Sequence, residues 1–179
     1  MNAGNLFHDC RRDERGTITI EFVLWTPVLA LWLVASAAFF DAYKSRNDAS
    51  KAAQTLADIA SRQIEVSDTF LNELYALQDN LLPRAPEGTL VRVSSVQYVA
   101  AVDEYQVLWS APLGGGEAMA QENIPLGILP AMADFDTVIL TELVVPYRPF
   151  TNWAKIEMTE WSFALVSRPR FVSAIAKID

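Results

Sequence analysis

The residue types that most often carry catalysis or bind metals are scarce in this chain and lie near its N-terminal end. His8 is the only histidine and Cys10 the only cysteine. Everything after residue 10 therefore lacks both a thiol nucleophile and the commonest general base. Neither residue has a partner at metal-ligand spacing. We expect no catalytic centre, no metal site and no cofactor, and we predict that the protein is not an enzyme.

Three other groups of residues have types that could bind a ligand. Asp134-Phe135-Asp136 could offer oxygen ligands to calcium, but solvation explains carboxylates at a turn. Gly114-Gly115-Gly116 lacks the Lys-Ser/Thr pair and the strand–helix context of a phosphate-binding loop, so a flexible tip is expected there. Trp109, Trp153 and Trp161 could form a binding surface. For Trp109 and Trp161 we expect packing in a small sheet domain instead.

Glu21 is the residue whose position demands an explanation. It is the only charge among the 23 residues from Ile18 to Phe40. As a helix this run would be about 34 Å long, against about 30 Å of bilayer hydrocarbon. A charge at mid-bilayer costs about 2.5–3.5 kcal/mol, and less near the interface. A simple explanation is that the carboxylate complements the positive end of the helix dipole, worth about 0.3–1 kcal/mol.

A more specific explanation comes from the residues around it. The stretch Arg15-Gly16-Thr17-Ile18-Thr19-Ile20-Glu21, followed by an apolar run that contains Pro27, resembles the processing motif of type IV prepilins. It is most similar to the TadE/TadG family of tight-adherence (Flp) pilus systems. The resemblance implies that a prepilin peptidase cuts between Gly16 and Thr17, and that Glu21 then pairs with the new N-terminal amine during assembly. Pro27 should kink the helix because it lacks an N–H group.

The same resemblance implies a role and partners. Major pilins of these systems are much shorter, so a chain of 179 residues is expected to be a minor pilin or pseudopilin. Its expected partners are the prepilin peptidase, other Tad pilus subunits and the inner-membrane assembly platform. The residues do not separate a TadE-like from a TadG-like protein, although the length favours the former.

A rival interpretation rests on Ala35-Ser36-Ala37, which fits the A-x-A pattern of a signal-peptidase site after an apolar stretch. Cleavage there would leave a secreted protein, and absence of any cleavage would leave a membrane anchor. The alternative function is therefore a non-polymerising, membrane-anchored or secreted periplasmic binding module. Glu21 and Pro27 are awkward within such a signal sequence.

Charge gives the expected location. The basic residues before the apolar run predict a cytoplasmic N-terminus, although basic residues after the run weaken the signal; the two sets are Arg11, Arg12 and Arg15, and Lys44, Arg46 and Lys51. We expect a single-pass inner-membrane protein with a periplasmic C-terminal domain, which could also enter an extracellular pilus. The net charge of −8 argues against nucleic-acid binding.

The pattern along the chain predicts an α+β fold, with one long N-terminal helix, transmembrane in its first half, carrying a small antiparallel β-sheet. The predicted parts are a cytoplasmic leader (1–16), a transmembrane helix (17–40), a periplasmic helical stalk (41–82) and a sheet domain (83–179). In the stalk, a small-residue stripe at helical spacing is followed by a break near 65–69 and by a larger apolar stripe. These stripes are Ala49, Ala53, Leu56 and Ala60, then Phe70, Leu74, Leu77 and Leu81.

The sheet domain begins with a predicted hairpin. Residues 89–99 and 105–110 alternate as two strands, with a bulge expected at Ser94-Ser95. Residues 111–136 form a long irregular connection. Thr137–Val145 is apolar on both faces and is expected to be the central strand, ended by Pro146. A last strand is predicted over Lys155–Val166.

Overall fold

A computed structural model describes residues 17–83, 87–149 and 159–178. The predicted leader, with His8, Cys10 and Gly16, lies outside the described residues, as does Trp153. The chain divides into two compact units, one up to Asp41 and one from Ala42 to Asp179. The division into four predicted parts stays a prediction.

The first helix, α1, runs from Thr17 to Ser61 over 45 residues. It contains no glycine, and its single proline is Pro27, so nothing else in the stretch breaks helical geometry. The prediction that the helix continues well past Phe40 is confirmed. At its C-terminal end Ser61 Oγ donates to the carbonyl oxygen of Asp58 at 2.9 Å, which satisfies one of the carbonyl groups left free there.

The last part of α1 packs on the sheet through small side chains. Ala49, Ala53, Leu56 and Ala60 are at most 1% exposed, which confirms the predicted stripe. Alanine side chains let the helix backbone approach the sheet closely. Leu56 is the large side chain of α1 that is fully buried there, and Ile59 packs against the same core while partly exposed. The core between α1 and the sheet is therefore built from mostly small side chains of the helix and from the larger side chains of the strands.

The predicted break after α1 is confirmed. A short strand β1 (Glu65–Ser67) leads into helix α2 (Asp68–Leu81). Ser67 is the N-cap, and its Oγ accepts a hydrogen bond from the backbone N–H of Phe70 at 3.2 Å, as this residue type does at helix starts.

The buried face of α2 agrees with the predicted one only in part, since Leu74 is in the core and Phe70 and Leu81 pack against it. Leu71, Leu74 and Gln78 are buried, whereas Leu77 is only half-buried. The predicted stripe has i, i+4, i+7 spacing and the buried one has i, i+3, i+7 spacing; both are typical of a helix face, so periodicity alone cannot choose between them. The choice is made by contact of α2 with the sheet and with β1, which places Gln78 inside.

The main sheet is antiparallel, with spatial order β3-β2-β4-β5. Its strands are β2 (Leu90–Val99), β3 (Glu104–Leu113), β4 (Thr137–Tyr147) and β5 (Thr159–Ser167). The predicted hairpin is β2–β3, and its register shifts between Ser95 and Val96, which confirms the bulge. Strand β4 lies between β2 and β5, which confirms the central position. The predicted start of the last strand at Lys155 lies outside the described residues.

Two strands are longer than predicted because each accommodates a proline at an open edge. Strand β3 is an edge strand and has no neighbouring strand on its outer side. A proline such as Pro112, which lacks an N–H group, is tolerated there because no inter-strand hydrogen bond is lost on that side. Strand β4 continues through Pro146, which lies opposite Glu160 of β5. The pairing of β4 with β2 ends at Val144, so Pro146 also has a neighbouring strand on one side only.

Two short strands were not predicted, β1 and β6 (Ala176–Ile178). Strand β6 pairs in parallel with β1 to form a second, two-stranded sheet. Its approach is fixed by Arg170, whose backbone N–H donates to the carbonyl oxygen of Ser61 at 3.0 Å, and by Ile175, which is 1% exposed. The segment after β5 thus returns to the junction between α1 and α2.

The long connection between β3 and β4 is ordered because it covers the sheet face opposite α1. Met119 and Ile124 from this connection are buried together with Val96, Val138 and Leu140. Two short 3₁₀ turns, Gln121–Asn123 and Leu126–Ile128, shape it. Gln121 also protects the edge of β3: its Oε1 accepts from Val107 N at 3.0 Å, and its amide nitrogen donates to the Tyr105 carbonyl oxygen.

Candidate functional site in the N-terminal helix

Glu21 lies on α1, four residues after Thr17, where the described helix begins. In a helix, residues four apart lie on one face, and each Cα–Cβ bond tilts toward the N-terminus. The Glu21 side chain is therefore directed toward the position of Thr17, about 6 Å away along the axis. Gly16, the other half of the predicted processing site, lies outside the described residues.

The large side chains in the apolar part of α1 are exposed. Phe22 is 69% exposed and Trp32 is 66% exposed, and none of the most apolar stretch is buried within the protein. Among the described residues, α1 is the one helix long and apolar enough to cross a membrane. A surface of this kind needs lipid or other apolar helices around it. Such a helix fits a single membrane anchor or a signal sequence.

Two hydroxyl groups of this segment are bonded within the helix, whereas Glu21 has no partner among the described residues. Thr26 Oγ1 donates to the Phe22 carbonyl oxygen at 2.5 Å, and Ser36 Oγ donates to that of Trp32 at 2.9 Å. Both hydroxyl groups are thus satisfied inside the helix. Within the described part of the chain, Glu21 makes neither a hydrogen bond nor an ion pair. A carboxylate in this setting calls for a cation from elsewhere.

Pro27 lies inside α1 as predicted. Because proline has no N–H, the carbonyl oxygen of Val23 lacks its usual helical donor. A shallow depression of about 400 Å³ lies alongside, lined by Thr19, Ile20, Val23, Leu24 and Pro27. It gives this stretch of the helix an uneven surface next to Glu21.

The other sequence-derived candidates have structural roles. Asp134 Oδ1 accepts from the backbone N–H of Ala100 at 2.8 Å, and Asp136 Oδ2 lies 3.4 Å from Arg168 Nη1. These two carboxylates therefore fix a turn. No group of three or more potential metal ligands occurs in the described ranges. Gly114 and Gly115 have φ of 80° and 90°, which suits the turn that leaves β3.

The tryptophans expected to pack do so. Trp109 Nε1 donates to the carbonyl oxygen of Ile175 at 2.7 Å, and Trp109 packs against the core that α1 forms with the sheet. Trp161 packs there too, with its ring centroid 5.6 Å from that of Tyr147. This supports the packing role for both residues.

One charged pair inside the fold escaped the sequence analysis. Arg92 Nε donates to Glu142 Oε2 at 2.6 Å on the sheet face that the long connection covers, and Arg92 Nη1 reaches the Glu117 carbonyl oxygen at 3.2 Å. The hydrogen bond to Glu142 raises the pKa of Arg92 above its ordinary value, although burial opposes the shift. The two residues face each other across β2 and β4, so the pair stabilises the register of these two strands.

Comparison with known proteins gives no match to a family model, a curated protein or a solved structure. The architecture itself is pilin-like. It is an α+β fold in which a long N-terminal apolar helix packs against a four-stranded antiparallel sheet.

Proposed function

We propose that this chain is a minor pilin or pseudopilin needed to assemble a tight-adherence (Tad/Flp) pilus, processed by a prepilin peptidase between Gly16 and Thr17. The observation that carries the proposal is Glu21: a carboxylate without a partner among the described residues, in an exposed apolar helix of a pilin-like fold. The N-terminal motif quoted above supports the same function.

Cleavage after Gly16 would supply the missing cation. It would create an α-amino group on Thr17, one helical turn from Glu21 and on the same face. In an apolar environment an unpaired charge costs several kcal/mol, whereas a well-placed pair removes most of that penalty. The pair can form within one chain or between neighbouring subunits. In the second case it would stabilise the arrangement in which the two subunits are correctly aligned.

The exposed surface of α1 is consistent with two successive environments. In the inner membrane, with the N-terminus cytoplasmic and the folded unit periplasmic, lipid would cover the apolar side chains. In a pilus, helices of other subunits would replace the lipid. Ala35 and Ala38 are small enough to allow close helix approach, and both are already half-buried in a segment whose large side chains are exposed.

The proposal is tested by the intact mass and N-terminal sequence of the protein recovered from its native membranes. A chain that begins at Thr17 supports it. A chain that begins at Ala38 would make the protein a secreted one and remove Glu21 from its function. An uncut chain, in cells with an active prepilin peptidase, would reduce it to a membrane anchor.

A second experiment isolates Glu21. Glu21→Gln and Glu21→Leu should leave membrane insertion unchanged, because both remove a charge from an apolar helix, and should impair pilus assembly. Glu65→Gln is the matched control, since Glu65 is an exposed carboxylate on β1, outside the apolar segment. Normal assembly of both Glu21 variants would refute the role of the carboxylate.

The alternative, a non-polymerising periplasmic binding module, keeps one observation in its favour. The buried α1 residues of the sheet-bearing unit, from Ala49 to Ala60, all follow Ala37. Cleavage after Ala37 would thus leave that core complete. The N-terminal sequence described above separates the two functions.

A further inference from the structure

A pair of neighbouring turns at one end of the sheet displays two exposed apolar side chains. We call this surface the tip: residues 100–104, which join β2 to β3, and residues 133–136, which precede β4. Phe135 is 62% exposed and Val102 is 56% exposed. Neither residue belongs to a core cluster of the fold, so their packing inside the protein does not explain them.

The backbone of the tip is strained at Phe135. Among the described residues other than glycine, only Asp103 and Phe135 have positive φ, at 53° and 60°, and both are in the tip. Aspartate tolerates this left-handed conformation, but for a bulky side chain it is a genuine outlier. Asparagine or glycine would suit position 135 better, so Phe135 is present despite a cost to folding.

The conformation of Phe135 is held from both sides. Its N–H donates to the Tyr98 carbonyl oxygen at 2.9 Å, and its own carbonyl oxygen accepts from Gln97 Nε2 at 3.2 Å. The bond between Asp134 and the backbone N–H of Ala100 ties the two turns together. Phe135 cannot reach an ordinary φ without losing these bonds. The aromatic ring is consequently presented to solvent on a rigid support.

Negative charge predominates at the tip, where Arg168 pairs with Asp136. Residues 93–147 contain seven acidic residues and no lysine, arginine or histidine. Asp136 and Glu142 are paired with arginines from other segments. Of the other five, Asp103, Glu104 and Asp134 belong to the tip, and these three make no ion pair within the part of the chain that the structure describes.

We propose that the tip docks onto a second protein whose contact surface is basic and contains an apolar pocket for the Phe135 ring. Carboxylates around an aromatic anchor are complementary to such a surface, and aromatic anchors commonly dominate the energetics of interfaces. Anionic lipid and nucleic acid would both be repelled. A second copy of this chain, with a net charge of −8, would be repelled as well. The inference does not depend on cleavage at Gly16.

The test uses the full chain in its native membranes, with the photo-crosslinking residue p-benzoylphenylalanine at position 102. We expect a crosslinked protein whose attached peptide contains both basic and apolar residues. Phe135→Asn should reduce the crosslink yield at least tenfold and leave the midpoint of thermal unfolding unchanged or raised. That combination separates recognition from packing, since loss of a packing residue would lower the midpoint.

Charge is tested by Glu104→Lys, with Glu73→Lys as the control. Both glutamates are exposed, but Glu73 lies on α2 and away from the tip. Glu104→Lys should reduce the crosslink yield several-fold and added salt should do the same, whereas Glu73→Lys should not change it. The proposal is overturned if Phe135→Asn lowers the unfolding midpoint or leaves the crosslink yield unchanged. It is also overturned if no crosslink forms, or if the crosslink joins only lipid or a second copy of this chain. A partner peptide without basic residues would overturn it as well.

Discussion

Ser94 and Ser95 on β2 provide a direct test of how the fold is stabilised. Both are completely buried, and they point to opposite faces of the sheet. Ser94 Oγ lies 2.8 Å from Ser110 Oγ, which in turn accepts from Met119 N at 2.8 Å. The Ser95 hydroxyl, on the face that α1 covers, has no hydrogen-bond partner within the described residues.

The same substitution should therefore have opposite effects at the two positions. Ser94→Ala removes a hydrogen bond worth about 0.5–1.5 kcal/mol, so we expect a loss of about 1 kcal/mol in the free energy of unfolding. Ser95→Ala removes a buried unsatisfied hydroxyl, whose desolvation costs about 1–3 kcal/mol. Because the small void left behind offsets part of this, we expect a gain of about 1 kcal/mol.

The assay is thermal and urea unfolding of the full chain in detergent micelles, followed by circular dichroism. For a unit of this size, 1 kcal/mol shifts the midpoint by about 4 °C, so the two variants should differ by about 8 °C. If Ser95→Ala is as destabilising as Ser94→Ala, the hydroxyl of Ser95 has a partner, and the argument from unsatisfied groups is wrong.

Three further predictions use other features of the fold. Leu56→Ala should reduce the free energy of unfolding by about 2–5 kcal/mol, measured in urea, because Leu56 is fully buried between α1 and the sheet. Gly114→Ala should destabilise more than Gly115→Ala: both have positive φ, but only a Cβ at 114 would lie 2.5 Å from a backbone oxygen, with nothing within 4 Å at 115. The hydrogen bond to Asp103 raises the pKa of Tyr98, so Tyr98 should ionise at a higher pH than an ordinary tyrosine and Asp103→Asn should lower that pKa, as measured by absorbance at 295 nm. The stability from this bond should be present below the ordinary tyrosine pKa and lost as the pH rises through the raised one.

The sequence predicted those elements whose signal is local. Helical spacing predicts the length of α1 and its alanine stripe. Capping chemistry at Ser67 predicts the break before α2. The hairpin with its bulge and the central strand β4 follow from alternation and from continuous apolar character. These predictions hold because one local pattern decides each of them.

The features that were missed depend on contacts between distant residues. Strand β6 has three residues and no periodic signal, and its pairing with β1 joins positions 65 and 176. Pro146 looked like a strand terminator, yet it is tolerated because the strand on its other side has already ended. For the tip, the sequence predicted only a pair of carboxylates at a turn. It could not predict the strained backbone of Phe135, because the φ angle of that residue is set by hydrogen bonds to β2.

The candidate site also combines features that the local sequence predicts with a feature that it cannot predict. Position and polarity single out Glu21 in the sequence, and the helix puts it on the face of Thr17. The partner that we propose for Glu21 is an amine released by cleavage at Gly16, which lies outside the described residues, so no contact within the described fold could reveal it.

The return of the chain from β5 to β1 has a consequence for biosynthesis. Ile175 fills a position in the core beside Val66 and Trp109, and β6 follows immediately. A chain emerging stepwise from a ribosome or a translocation channel cannot complete this core until residue 178 has been delivered. The sheet-bearing unit must therefore stay incompletely folded for most of its synthesis. During that delay the edges of β2 and β4 lack their final partners and need protection from wrong pairing.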